Sequence, residues 1–146
     1  MADYFTLQDK EALMQAKQFS ELYFVAQGIL ERMLKPIGQV CGPISTGGTG
    51  SPERNLKRLA ETINSLTAKG LIIFNQMPFQ DPMARILLSY KEDGPMRLLE
   101  EFYLPVFKSG SVSILYFLSD WQTLRGASWE HAQALRLGIN IIYLSE

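Results

Sequence analysis

Four short apolar runs, separated by stretches of helical periodicity, constrain this chain more than any other feature. Ile37-Gly38-Gln39-Val40-Cys41, Leu71-Ile72-Ile73-Phe74, residues 111–118 and Ile141-Ile142-Tyr143-Leu144 read as strands. Strands that alternate with helices imply a parallel sheet with helices on both faces. The run at 71–74 is apolar throughout, as a strand buried on both faces requires. The expected fold class is therefore α/β, with a parallel sheet of about four strands in the order 2-1-3-4. The first and third strands then lie side by side, where the direction of winding reverses.

The stretches between the strands carry helix signals. Residues 6–34 repeat apolar side chains at three- and four-residue steps, through Leu13, Ala16, Phe19, Tyr23, Ala26, Leu30 and Met33, and predict one long helix. Lys35-Pro36 ends it, because a residue before proline avoids helical angles. So wide an apolar stripe packs on the chain's own sheet or on a second subunit. Ser51-Pro52 supplies an N-cap and first-turn pair for a helix to about Lys69, with Gly70 as its C-cap. A short helix is expected over 82–88, another over 96–107 with Pro105 distorting its end, and a last one to Leu137 before Gly138. The expected organisation is a helical extension over 1–36 and an α/β domain over 37–146.

Composition narrows the classes of function. At 146 residues, with 47% apolar and 20% charged side chains, the chain is long enough for one domain with a full core. A net charge of −1 gives no general attraction to nucleic acid. Arg54, Lys57 and Arg58 cluster, but Glu53 and Glu61 flank them, as on a solvated helix face. One cysteine, Cys41, excludes an internal disulfide, and with a single histidine, His131, no metal site is expected. The N-terminus has no basic region followed by an apolar one, and no apolar run is long enough to span a membrane. The expected setting is cytoplasmic, with no membrane or nucleic-acid partner.

Candidate site residues collect at the ends of the first and third strands, where open α/β sheets bind ligands. The Gly42-to-Ser51 loop holds four glycines and precedes a helix. Free backbone N–H groups and the helix dipole there suit an anion, with Ser45, Thr46 and Arg54 adding donors and charge. The loop has neither the Gly-Lys-Ser/Thr of a P-loop nor G-x-G-x-x-G, and it also fits a plain surface loop. Gly126-Ala127-Ser128-Trp129-Glu130 places a carboxylate at the turn from third strand to helix. Glu130 is either an acid favoured by the helix dipole or a nucleophile that the dipole keeps ionised. Asp120 and Asp81 follow strands and suit a second acid, a hydroxyl contact or a cap. His131 points about 100° away from Glu130 and reads as a surface or packing residue. Trp121, Trp129 and Phe79 suit base stacking or core packing.

Taken together, Gly42-Pro43-Ile44, Asn75 with Pro78, and Trp121 through Gly126-Ala127, Glu130, Ala134, Gly138 and Ile139 resemble the nucleoside 2-deoxyribosyltransferase-like superfamily. The likeness covers roughly 37–146 and is nearest to a small phage and bacterial branch. It implies a flavodoxin-like three-layer sandwich, with the N-terminal helix as an addition. It further implies a small-molecule nucleoside or nucleotide substrate, no cofactor and a homo-oligomer in which a neighbouring subunit completes the site. In such enzymes the glutamate matching Glu130 attacks C1′ of a deoxyribose and releases the base. Catalytic roles are expected for Glu130, Asp120 and Asp81. Substrate contacts are expected from Gly42, Pro43, Ile44, Ser45, Thr46, Arg54, Asn75, Gly126 and Ser128. The family's first-strand tyrosine falls here at Gln39, and the acid six residues before the nucleophile falls at Leu124. A non-catalytic nucleotide-binding module and an interaction protein built on the N-terminal helix are the alternatives.

Overall fold

Gly38 sits where two chain segments meet, and it does so because it lacks a side chain. A Cβ there would stand 2.4 Å from Cε2 of Tyr116 and 3.3 Å from Cδ1 of Ile73. The computed structural model describes residues 4–42, 48–123 and 125–145. Along the chain its elements are α1 (Leu7–Gln15), α2 (Phe19–Arg32), β1 (Ile37–Cys41), α3 (Pro52–Ala68), α4 (Gln80–Leu87), α5 (Gly94–Leu98), α6 (Leu104–Lys108), β2 (Val112–Phe117), α7 (Arg125–Leu137) and β3 (Asn140–Tyr143). They form two compact units. Met1–Leu34 with Gln76–Ser111 is helical, and Lys35–Asn75 with Val112–Glu146 holds the sheet. Residues 76–111 group with the N-terminal helices.

In the α/β unit the strands are parallel and ordered β1-β2-β3. Gln39 pairs with Leu115 and Cys41 with Phe117, while Leu115 and Phe117 pair on the other side with Ile141 and Tyr143. The adjacency of the first strand and the one after residue 110 agrees with the sequence reading. The strand count does not: the sheet has three strands rather than four. The 71–74 run contributes a single parallel bridge, Ile73 to Gly38, on the free side of β1. Gly38 N–H donates to Ile72 O at 2.8 Å, and Phe74 N–H donates to Gly38 O at 2.8 Å. The chain enters this segment from the turn at Gly70 and leaves it for a 3-10 turn at Met77–Phe79, so no length is left for a ladder. Ile73 and Phe74 are buried there, while Leu71 is exposed, so the apolar run is paired and covered only at its second half.

Helix ends follow the local signals where those signals are strong. Ser51 Oγ accepts from Arg54 N–H, and Pro52 occupies the first turn of α3. Gly70 (φ +92°) closes the helix in a Schellman turn, with Leu71 N–H donating to Leu66 O and Gly70 N–H to Thr67 O. Gly138 (φ +72°) does the same after α7, with Ile139 N–H donating to Ala134 O.

In the helical unit two expectations change. The single helix over 6–34 is two helices, broken at Ala16, whose backbone is extended. Arg85 supplies the reason: its guanidinium donates to the carbonyls of Leu13 and Ala16, at 3.1 Å and 2.6 Å, and so satisfies the end of α1. Thr6 and Asp9 close the other end of α1 as a reciprocal capping box. The helix expected over 96–107 runs from 94 to 108, with a π turn at Leu99–Tyr103 between α5 and α6. Pro105 has no N–H to donate, and the helix widens just ahead of it. Phe19, Leu22, Ile29 and Leu30 of α2, with Phe79, Phe102 and Val106, form this unit's core.

The contact at Gly38 gives a direct test of the sheet. Gly38→Ala is expected to destabilise the protein by roughly 1–3 kcal/mol, because the buried Tyr116 ring cannot yield freely. Chemical denaturation of the two proteins measures the difference.

Candidate functional site

β1 and β2 end together, so the segments beyond the two strands are brought to one edge of the sheet. Gly42 comes after β1 and Leu118 after β2. Leu118 N–H donates to Cys41 O at 2.9 Å, and a Cβ on Gly42 would stand 2.4 Å from Leu118 Cδ1. Gly42 is therefore required by the close passage of Leu118. Further along, Gly48 N–H donates to Thr123 Oγ1 at 2.8 Å, and Arg58 of α3 forms an ion pair with Asp120 at 2.5 Å. The loop after β1 is itself braced by the buried Asn55, whose Oδ1 accepts from both N–H and Oγ of Thr49. The two stretches that the sequence reading brought to one edge do converge.

Glu130 lies on α7 and faces the sheet. The Cys41 thiol, at the end of β1, is the neighbouring group that acts on its carboxyl. Among the described residues Glu130 is the only charged side chain that is buried, at 8% exposure. Ala127 and Ala134, on the same face of α7, are buried as well. Side chains this small let the helix backbone approach the sheet. Burial pushes the Glu130 carboxyl up from the ordinary 4.5 to about 8, against a smaller downward pull from the Cys41 hydrogen bond. Burial, the nearby Glu130 charge and the shared hydrogen bond push the Cys41 thiol up in turn.

This corrects the expected electrostatics of Glu130. α7 begins at Arg125, so Glu130 is in its second turn rather than its first. The dipole effect fades within the first turn, and desolvation dominates instead. At neutral pH the folded protein holds this carboxyl protonated.

The other candidates divide by place. Asp120 is at the sheet edge but is held by Arg58. Gly126 and Ser128 are half-buried in the first turns of α7, and Arg54 is exposed in the first turn of α3. Asn75 follows the Ile73 bridge and is exposed. Asp81 is exposed on α4 and belongs to the helical unit, as does the fully buried Phe79. Pro43, Ile44, Ser45, Thr46 and Leu124 lie outside the described residues. His131 is a packing residue, as expected: its ring stacks on Trp121 at 4.0 Å between centroids, and Nε2 hydrogen-bonds Tyr143 Oη at 2.6 Å. Among the described residues no group of acidic, histidine or cysteine side chains is arranged to hold a metal ion. None of the described helices is long and apolar enough to cross a membrane.

Three residues of this edge were not picked out from the sequence. Cys41 had a signal, being the last residue of its strand and next to the loop. Arg58 looked like its neighbours on a mixed-charge helix face, and only the fold shows that it meets Asp120. Gln39 stood out only as a difference from a family pattern. It is 1% exposed, and among the described residues neither its Nε2 nor its Oε1 meets a hydrogen-bond partner.

Compared with family models, curated proteins and solved structures, the chain matches none.

The protonated Glu130 predicts how stability depends on pH. Below about 4.5 the carboxyl is protonated in folded and unfolded chains alike. Between 4.5 and about 8 the unfolded chain ionises first, so this group's share of stability falls by about 1.4 kcal/mol per pH unit. Above about 8 the loss is complete and the curve levels. Glu130→Gln keeps the shape, removes the titration and should be more stable than the parent at about pH 8, with a flatter profile. Thermal unfolding from about pH 4 to about pH 9 checks this.

Proposed function

We propose that the α/β unit binds a nucleoside or nucleotide at the C-terminal edge of β1 and β2. There it breaks or transfers the N-glycosidic bond of a deoxynucleoside or its monophosphate. The observation that carries the reading is the buried Glu130 carboxyl, held beside the end of β1 by Cys41. In this reading the sheet is the centre of a flavodoxin-like sandwich, and ligand sites in such sheets lie at this edge. An ionised Glu130 oxygen forms a bond to C1′, and the C1′–N bond breaks with its electron pair leaving on the base, which takes up a proton. Water or a second base then attacks C1′ and displaces the carboxylate. Arg58, which Asp120 holds at this edge, is the described cation suited to a phosphate. No cofactor enters the scheme, and the reading carries with it a homo-oligomer.

The raised pKa gives this scheme a pH signature. Only ionised Glu130 is a nucleophile, so base release should rise about tenfold per pH unit up to about 8 and level above it. Glu130→Ala should abolish base release from every deoxynucleoside and deoxynucleoside monophosphate that the parent accepts, with the circular dichroism spectrum unchanged. Base release that survives the substitution would remove Glu130 from the chemistry.

A second reading has its own support. A neutral carboxyl that is hydrogen-bonded to Cys41 is a better donor to a ligand than a nucleophile. On that reading the unit is a nucleotide-binding or sensing module. Saturable binding of a deoxynucleotide, without release of base anywhere from about pH 6 to about pH 9, would favour it.

A further inference from the structure

Gln39 is buried on β1 with an amide that no described residue satisfies. It and Cys41 are two residues apart on one strand, so both point to the face of the sheet that α7 covers. On that face Leu115 is its neighbour across β2 and contributes no polar atom. Ala134, one helical turn beyond Glu130 on α7, is also without a polar side chain. Leaving a buried amide unbonded costs roughly 1–3 kcal/mol for each group stranded. A leucine or methionine of similar volume would carry no such cost. Gln39 is therefore a local conflict between stability and residue type, in a strand whose other side chains are Ile37, Val40 and Cys41. Such conflicts collect where a ligand supplies the missing partners.

We propose that Gln39 is a base-binding residue of the Glu130 site, whose amide pairs with the polar edge of a bound nucleobase. A carboxamide presents one acceptor and one donor side by side. Its complement is a planar ring edge with a donor beside an acceptor: a ring N–H next to a carbonyl, or a ring nitrogen next to an amino group. Both occur on nucleobases, and neither occurs on a sugar or a phosphate. The proposal rests on the nucleoside reading above, and it adds that the base is read by β1 while the sugar is met by Glu130.

Binding of thymidine, deoxyinosine, deoxyadenosine and deoxycytidine to the full chain tests it, with Gln39→Met as the variant. Methionine matches glutamine in length and removes both polar atoms. The expected result is a melting temperature raised by about 2–4 °C. The best-bound nucleoside should weaken by about tenfold to a hundredfold, while 2-deoxyribose 5-phosphate, which carries no base, should bind as it does to the parent. Affinities that stay the same, or an equal loss for 2-deoxyribose 5-phosphate, would overturn the reading of the base by Gln39 and leave the proposed function standing. A melting temperature that falls by several degrees would overturn it too, by showing that the amide has a partner within the folded protein. A parent protein that binds none of the four, as nucleoside or as 5′-monophosphate, overturns both this inference and the nucleoside reading.

Discussion

The parallel pairing of β1 with β2 is the constraint on which the rest of the α/β unit depends. These strands are separated by some seventy residues of chain, and their ends are set level by the pairing of Cys41 with Phe117. That pairing delivers Gly42 and Leu118 to the same point. It also sets the loop residue Gly48 against Thr123, and Arg58 of α3 against Asp120. Parallel strands need a crossover, and the crossovers here are α3 with the helical insertion, then α7. The polar contacts at the edge are thus consequences of sheet order and not separate designs.

α7 then turns a structural edge into a chemical one. Its buried stripe is Ala127, Glu130 and Ala134, two of the smallest side chains around the only buried carboxyl among the described residues. Larger neighbours would hold the helix away from the sheet. With the helix close, Glu130 is left with Cys41 as its polar contact on β1, and the proton stays on at neutral pH. The aromatic group of Trp121, His131, Phe117 and Tyr143 packs the next residue along α7 and fixes how the helix is turned. The result is a carboxyl whose charge state is set by burial, beside a strand that carries an unsatisfied amide two residues away.

Much of the fold was legible because its signals are local. Ser51-Pro52 and Gly70 bracket α3, Gly138 ends α7, and the apolar runs of β1, β2 and β3 are strands within a residue or two of their expected limits. The failures are those where a distant residue decides. Arg85, some seventy residues away, receives the carbonyls at the end of α1 and lets the chain break where the apolar periodicity continues. The 71–74 run has the composition of a central strand, yet only one residue of it bridges to β1. Apolar pattern reports that a segment is buried and says little about what buries it.

Residue patterns alone were enough for the α/β class, the caps of α3 and α7, the meeting of the first and third expected strands, and Glu130 as the acid at their edge. Periodicity, turn residues and the handedness of crossovers account for these, and all of them act within a few tens of residues. The ionisation of Glu130, the capture of Asp120 by Arg58 and the isolation of the Gln39 amide came only with packing. A pKa depends on how much water and which polar atoms surround a group. Those surroundings come from α7, β1 and α3 together, and no spacing along the chain encodes them.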